Sequence, residues 1–191
     1  RDLHDNIGAQ LTFIISSLDN LKYGFKLPEK LNHKLKTISE FTTTTIYELR
    51  DTIWAMNKSE ITFEDLQIRI SNYIDKAHLS DDKIEFSFKV DDNVDASKKF
   101  SSVEGMNIHR IIQEAINNSL KHANATEIKV RVSEQNDKLK FMVSDNGNGF
   151  DINTAEKGNG LLNMQKRVQE IGGELTIASN VNKGTQIMIL L

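Results

Sequence analysis

Two polar side chains, Glu114 and Asn118, stand four residues apart in a segment with helical periodicity. A helix has about 3.6 residues per turn, so residues four apart lie on one face. Magnesium prefers hard oxygen ligands and keeps several waters, and one or two protein ligands together with substrate phosphates are its usual arrangement. The spacing therefore predicts a magnesium site in which Asn118 binds the ion directly and Glu114 binds it through water.

A second group of residues, DNGNGF at 145–150, follows an alternating run at 138–143 that predicts a strand. An ionised carboxylate only accepts hydrogen bonds. Asp145 is therefore suited to receive the exocyclic amine of adenine, and it would reject the carbonyl that guanine has there. Gly147 and Gly149 lack a Cβ, so the backbone can turn tightly and approach a flat base. Together with the helix pair, this strand end predicts an adenine nucleotide site.

Gly158 and Gly160 precede a third segment, an apolar periodic run that predicts a helix from about Leu161. Glycines before a helix leave free N–H groups and the positive end of the helix dipole facing an anion. The glycine spacing is neither a Rossmann fingerprint nor a P-loop, and an isolated pair of this kind is more often an ordinary loop. Its place after the other two motifs favours a phosphate-binding loop.

Taken in order, these motifs resemble the ATP-binding domain shared by histidine kinases, gyrase-type ATPases, Hsp90-type chaperones and mismatch-repair ATPases, over residues of about 100 to 191. The resemblance implies ATP as the nucleotide, Mg2+ as its cofactor and a nucleotide contact from Leu161. It assigns support of the adenine contact to the hydroxyl of Thr185, although Gly184 and Thr185 are also typical of a hairpin turn. Relatives sometimes use the positions of Lys121 and His122 to reach the phosphates. Otherwise these two side chains would face the negative end of the helix dipole.

The first 56 residues carry a different pattern, in which apolar residues recur every three or four positions in two stretches. The stretches are Leu3, Ile7, Leu11, Ile14, Leu18 and Leu21, and then Leu31, Leu35, Ile38, Phe41, Thr45, Leu49, Ile53 and Met56. Gly24 and Pro28 separate them, so the pattern predicts an antiparallel helical hairpin. A lone hairpin leaves apolar surface over, which two copies would bury in a four-helix bundle at about 25 cal/mol per Å². The chain is therefore expected to form a homodimer.

His4 lies beside the apolar seam of the first predicted helix, and Asp5 follows it. A neutral imidazole is a usable nucleophile at about pH 7, and a carboxylate that accepts one ring N–H leaves the other nitrogen free to attack. The γ-phosphoryl group of ATP would then move to His4. A single His beside Asp is more often a solvated pair, but the nucleotide motifs downstream favour His4 as the phosphoacceptor.

The His4-Asp5 motif, the hairpin and the ATP-binding motifs together resemble the two-component sensor histidine kinases whose acceptor motif reads His-Asp and whose partners are commonly DNA-binding response regulators. This resemblance covers nearly the whole chain. It implies phosphorylation of His4, an orienting or basic role for Asp5, and transfer to an aspartate of a response regulator. Many members carry Gln four residues after the Asp to dephosphorylate the partner, but that position is Ala9 here and Gln10 follows it. The shift turns a helical side chain by about 100°, which puts phosphatase activity in doubt.

The composition limits the possible partners. A net charge of -3 and a pI of about 6.0 give no electrostatic footprint for nucleic acid, so direct DNA binding is not expected. The absence of cysteine excludes a disulfide framework and is compatible with a reducing interior. There is no apolar run of about 18 or more residues and no signal-peptide pattern, so these residues are not expected to contact a membrane.

The two patterns divide the chain into a hairpin at 1–58, for dimerisation and histidine phosphotransfer, and a catalytic ATP-binding domain at 59–191. The second domain is expected to be an α/β sandwich, a mixed sheet with three helices on one face, and the fold class of the whole is α+β. The sequence begins within the acceptor motif, which suggests a piece of a longer protein. Relatives often carry a sensor and transmembrane helices upstream, so we expect a cytoplasmic fragment of a membrane-anchored parent.

Other functions share parts of this pattern. An ATP hydrolase of the gyrase or Hsp90 type would use Glu114 to activate water, and it would release phosphate without labelling the protein. A serine kinase of the anti-sigma kind shares the ATP-binding domain but would lack a His-bearing hairpin. A non-enzymatic dimerisation scaffold would bind nucleotide without any ATP-dependent label, and the complete set of nucleotide motifs argues against it.

Overall fold

A computed structural model of the chain describes residues 2–25, 27–56, 58, 60–80, 83–152 and 159–191. Within these ranges, the side chains of residues 2–6, 44, 47, 48, 50, 51, 55, 56, 80 and 159 are outside the description. The chain forms two compact units, Arg1–Lys58 and Ser59–Leu191. No helix in the described part of the chain is long and apolar enough to cross a membrane.

The first unit is a helical hairpin of α1 (Asp2–Gly24) and α2 (Glu29–Met56), which pack along each other. The seam of α2 differs from the predicted one, because Thr42 and Ile46 are buried whereas Phe41 is 73% exposed. Burial of Thr42 leaves no polar group unpaired, since its hydroxyl donates to the carbonyl of Ile38 at 2.8 Å. The stripe of α2 that faces α1 therefore lies one residue away from the predicted positions Phe41 and Thr45.

The second unit is built on a five-stranded sheet in the order β2-β4-β5-β7-β6, in which β2 is parallel to β4 and the other neighbours are antiparallel. The strands are β2 (Glu85–Val90), β4 (Glu127–Gln135), β5 (Lys138–Asp145), β6 (Glu174–Ser179) and β7 (Thr185–Leu190). Their residues alternate between more and less buried positions, so one face carries the core. Three helices contact the sheet: α3 (Phe63–Ser80), α4 (Ser102–Asn118) and α5 (Asn159–Glu170). The predicted mixed sheet with helices on one face is thereby confirmed.

A small second sheet, which the sequence did not predict, joins β1 (Glu60–Thr62) to β3 (Lys99–Ser101). Ile61 pairs with Phe100 in this sheet and is fully buried. A Cβ added at Gly105 of α4 would lie 2.6 Å from Cδ1 of Ile61. The small sheet therefore packs closely on the start of α4.

The start and the end of α4 have different local structure. At the start, the Ser101 hydroxyl accepts from the Glu104 N–H at 3.2 Å and the Glu104 carboxylate accepts from the Ser101 N–H at 2.7 Å, which is a capping box. At the end, the α-helix does not continue through Lys121 and His122. The α-helix stops at Asn118, a π-helical turn spans Ser119–Ala123, and Asn124 closes it in the left-handed region (φ 48°).

Candidate functional site

Asp145 ends β5, and three donors converge on its carboxylate. Oδ1 accepts from the N–H of Gly147 at 2.9 Å and of Thr185 at 3.2 Å, and Oδ2 accepts from the Ser119 hydroxyl at 2.8 Å. All three partners donate, which matches an ionised carboxylate. Oδ2 receives one of these bonds and keeps acceptor capacity, so this side chain can accept a further N–H from a ligand.

The glycines around Asp145 allow backbone segments to pack against each other. A Cβ at Gly147 would collide with the carbonyl oxygen of Ala123, and one at Gly149 (φ 56°) would collide with that of Asn180. The sequence predicted a close approach of these glycines to a base, whereas the structure brings them close to neighbouring backbone. Only residues without a Cβ fit here, because three chain segments meet at the strand end.

Thr185 lies directly opposite Asp145 on β7. Its backbone N–H donates to Asp145, while its hydroxyl lies 2.9 Å from the Ser179 hydroxyl. The resemblance to the ATP-binding domain assigned support of the base contact to the hydroxyl of Thr185. In the structure the backbone N–H contacts the carboxylate directly, and the hydroxyl faces β6.

Glu114 and Asn118 are half-buried on one face of α4, as their spacing predicted. The first turn of α5 lies against them, because a Cβ at Gly160 would collide with Oε1 of Glu114 and come within 3.4 Å of Nδ2 of Asn118. Gly160 therefore lies inside the first turn of the helix, and not before it as predicted. Helix N–H groups in a first turn have no intrahelical acceptor. Gly158 lies outside the described residues.

Lys121 and His122 are exposed on the π-helical turn that follows Asn118. This turn is joined to the segment after Asp145, since the Asn148 N–H donates to the Ala123 carbonyl at 2.7 Å. The exposed Lys121 and His122 side chains are thus carried by a turn that is tied directly to the carboxylate region.

Leu161 lines a groove of about 330 Å³ between α5 and the edge strand β6. Phe150, Ile152, Val168, Leu175 and Ile177 also line it, and the described lining includes neither Asp145 nor Glu114. The predicted nucleotide-binding residue Leu161 therefore lies beside Gly160 in the chain, but its side chain is part of this separate groove.

The sequence reasoning overlooked two hydroxyls that lie at the site, Ser119 and Ser179. Both are buried, at 5% and 7% exposure. A signal existed for each. Ser119 continues the buried stripe of Ile112, Ala115 and Ile116, and Ser179 ends the inward-facing series of Leu175 and Ile177. A polar residue at a position that the pattern predicts to be buried is expected to have a hydrogen-bond partner.

The candidate residues of the first unit are only partly described. His4 and Asp5 lie on α1 by their backbone, and their side chains are outside the described part of the chain. Gln10 is exposed on the same helix. These positions are carried by a compact unit of their own.

Comparisons with known families match both units. A model described as histidine kinase-, DNA gyrase B- and HSP90-like ATPase matches residues 104–191, and one described as histidine kinase matches residues 1–61. Among solved structures, the histidine kinase domain of a blue-light-activated histidine kinase from Erythrobacter litoralis has a TM-score of 0.66 and 16% identity, covering 100% of this chain and 94% of that chain. That likeness supports the fold.

Curated relatives align over nearly the whole chain. They include an uncharacterized sensor-like histidine kinase of Chloroflexus aurantiacus, 29% identical over 100% of this chain, and the signal transduction histidine-protein kinase/phosphatase DegS of Brevibacillus brevis, 26% identical over 99%. The sensor protein VraS of Staphylococcus epidermidis is 31% identical over 99%. This chain spans 33%, 49% and 53% of the lengths of these relatives, respectively. With its two matched modules, the chain belongs to the histidine kinase family of two-component systems.

Proposed function

We propose that this chain is the core of an ATP-dependent protein-histidine kinase, which autophosphorylates on His4 and passes the phosphoryl group to an aspartate of a response regulator. The observation that carries the proposal is the carboxylate of Asp145, which three donors hold in place while Oδ2 can still accept. A fixed acceptor at this point fits the exocyclic amine of adenine. The core is expected to lie in the cytoplasm, as part of a sensor protein that is anchored in the membrane.

Mg2+ fits the donor set of α4. Glu114 and Asn118 offer carboxylate and amide oxygens on one helix face, and among the described residues neither side chain has a hydrogen-bond partner. Asn118 would hold the ion directly and Glu114 through water. When bound, Mg2+ would neutralise charge on the phosphates. The backbone N–H groups of the first turn of α5, beside Gly160, would face the phosphate oxygens.

The chemical step follows from the imidazole of His4. Its unprotonated nitrogen attacks the γ-phosphorus, an N–P bond forms, and the bond from phosphorus to the bridging oxygen breaks with its electron pair leaving on ADP. Asp5 would accept the other ring N–H and orient the ring. In the transfer step a carboxylate oxygen of the response regulator attacks the same phosphorus, and the N–P bond breaks to restore the imidazole.

A second copy of the chain is the expected partner of the hairpin. Large apolar side chains remain exposed on both helices and directly after α1: Phe13, Ile14 and Leu21 on α1, Phe25 after it, and Leu31, Ile38 and Phe41 on α2. Burying such a surface between two hairpins would stabilise a four-helix bundle. Ile38→Glu should therefore shift the protein from dimer to monomer in sedimentation equilibrium, and Lys36→Glu, at an exposed position of the same helix, should leave the dimer intact.

Gln10 is the residue through which any dephosphorylation of the partner would run. Its side chain is exposed on α1, one residue beyond the position that the family pattern uses. DegS of Brevibacillus brevis is named a kinase/phosphatase. Because the shift rotates the side chain by about 100°, we expect the kinase direction to dominate in this chain.

Labelling with γ-labelled ATP and magnesium tests the proposal. The chain should retain label that is acid-labile and base-stable, and His4→Gln should abolish it. His33→Gln, which replaces an exposed histidine of α2, is the matched control and should label normally. Label that survives His4→Gln would overturn the assignment of the phosphoacceptor. Steady phosphate release from an unlabelled protein would instead indicate the hydrolase.

A further inference from the structure

Ser179 is the last residue of β6, and its buried hydroxyl has three partners from two other segments. It lies 2.9 Å from the N–H of Phe150, 3.1 Å from the carbonyl of Gly184 and 2.9 Å from the hydroxyl of Thr185. The side chain is 7% exposed. This residue matched no motif in the sequence and has no role in the proposed chemistry.

Counting hydrogens gives one complete assignment of these bonds. A hydroxyl has one hydrogen and two lone pairs. Ser179 donates its hydrogen to the Gly184 carbonyl, and its lone pairs accept from the Phe150 N–H and from the Thr185 hydroxyl. The hydrogen and both lone pairs are then used. Loss of this one oxygen would therefore leave three buried or half-buried groups without that partner.

The hydroxyl is aligned with the carboxylate of Asp145 across the sheet. Thr185 of β7 pairs with Asp145 of β5 on one side and with Ser179 of β6 on the other. Directly opposite residues of antiparallel strands point to the same face. The three side chains therefore form one row at the end of the sheet, and Thr185 donates its N–H to Asp145 at 3.2 Å.

The same hydroxyl holds both turns that flank Asp145. The peptide that links Gly184 to Thr185 supplies the N–H that donates to the carboxylate. The Ser179 hydroxyl fixes this peptide through its hydrogen bonds to the Gly184 carbonyl and the Thr185 hydroxyl. The turn at Gly149 and Phe150 is held through the Phe150 N–H. A Cβ at Gly184 (φ 75°) would collide with the carbonyl oxygen of Asp145, so this hairpin lies in direct backbone contact with the strand end.

We propose that Ser179 is a positioning residue for adenine recognition: its hydroxyl sets the Gly184–Thr185 peptide, which in turn orients the Asp145 carboxylate towards the exocyclic amine. The inference rests on the proposed nucleotide site and adds a specificity-determining residue to it. Ser179 itself does not touch the base. Its effect is confined to the part of nucleotide affinity that depends on the amine.

The test compares two nucleotides on the whole chain, ATP and purine riboside triphosphate, which lacks the 6-amino group. Wild type should bind ATP more tightly. Ser179→Ala should weaken ATP binding about tenfold, the order expected when a hydrogen bond to a charged group is misaligned, and should leave the affinity for purine riboside triphosphate unchanged. Thr176→Ala, at an exposed position of the same strand, should change neither dissociation constant.

The ratio of the two dissociation constants separates positioning from general structural support. If Ser179→Ala keeps the wild-type ratio, either because it weakens the binding of both nucleotides equally or because it changes neither, the positioning role is overturned while the nucleotide site stands. If wild type itself does not discriminate, the adenine site proposed at Asp145 is wrong and the role of Ser179 falls with it. Ser179→Cys, which keeps the side-chain volume, serves if the alanine variant does not fold. In Ser179→Cys, the dissociation constant for purine riboside triphosphate divided by that for ATP should be lower than in wild type, as in Ser179→Ala, because a thiol is a weaker donor and acceptor.

Discussion

Asp145 and Glu114 are both carboxylates of the candidate site, and the structure surrounds them differently. Asp145 stands at the end of a central strand and accepts from Gly147, Thr185 and Ser119. Glu114 stands on a helix face, where it meets the backbone of Gly160 but has no hydrogen-bond partner among the described residues. One end of the site is held by the protein itself, and the other offers its oxygens to whatever binds there.

This difference separates two kinds of energetic consequence. Buried polar groups that bond to each other contribute to folding, so removing one leaves its partners unpaired. Side chains whose only partner is a ligand contribute to stability only when the ligand is bound. Substitutions at the Asp145 end should therefore lower both stability and nucleotide affinity, whereas those at the helix face should lower affinity alone.

The largest effect is expected from Asp145→Ala. It removes the acceptor of two backbone N–H groups and one hydroxyl, so the free energy of unfolding should fall by about 3 kcal/mol and ATP binding should be lost. Urea denaturation and calorimetric titration measure the two quantities.

Asp145→Asn is the matched variant for that substitution. Its amide oxygen can keep the two N–H groups, but its NH2 presents a donor to the adenine amine, so most of the stability should remain while ATP affinity falls about 10- to 100-fold. Wild-type ATP affinity in Asp145→Asn would remove this residue from the pocket.

A smaller effect is expected from Asn118→Ala. Affinity for ATP in the presence of magnesium should fall about tenfold, the low end of the range for residues that hold or orient a metal site, and the urea midpoint without nucleotide should not change. Asn117→Ala is the control, because the Asn117 side chain accepts from the Tyr73 hydroxyl at 2.7 Å. It should lower the urea midpoint and keep the magnesium dependence. The reverse pattern would contradict the division between the two ends.

The smallest effect is expected at the other edge of the sheet, where Arg131 makes a bidentate pair with Asp91. The hydrogen bonds from Arg131 lower the pKa of Asp91 below its usual 3.8. A lowered folded-state pKa means that this contribution to stability is present above the unfolded-state value and is lost as pH falls through the folded-state value. In urea denaturation between about pH 5 and pH 3, Asp91→Asn should lose less stability than wild type, without any change in ATP binding. A steeper acid loss in Asp91→Asn would contradict the assignment.

The local parts of the site were predictable from the sequence. The spacing of Glu114 and Asn118 follows from one helical turn, and the strand that ends in Asp145 follows from alternation. The hydrogen bonds of Ser119 and Ser179 at the site are made in part to residues that are distant in the chain. The buried positions of these two serines in the helix and strand patterns indicated only that each hydroxyl needed a partner.

Other features depended on packing that no local pattern contains. The strands β1 and β3 have three residues each, too few for alternation to identify. In α2, two adjacent stripes satisfy the same spacing, one through Phe41 and one through Thr42. The packing of α1 buries the second stripe, and a threonine fits there because its hydroxyl bonds within its own helix.

The π-helical turn at Ser119–Ala123 changes how positions along this helix should be counted. A straight α-helix would place His122, four residues beyond Asn118, on the same face as Glu114 and Asn118. A π turn holds one residue more per hydrogen-bonded ring than an α turn, so from Ser119 onwards that arithmetic no longer applies. In terms of chain length the turn is equivalent to a single inserted residue. Removing one residue within it would restore the α-helical register, and it would carry Ser119, the donor to Asp145, off the buried stripe or draw the Ala123 carbonyl away from Asn148.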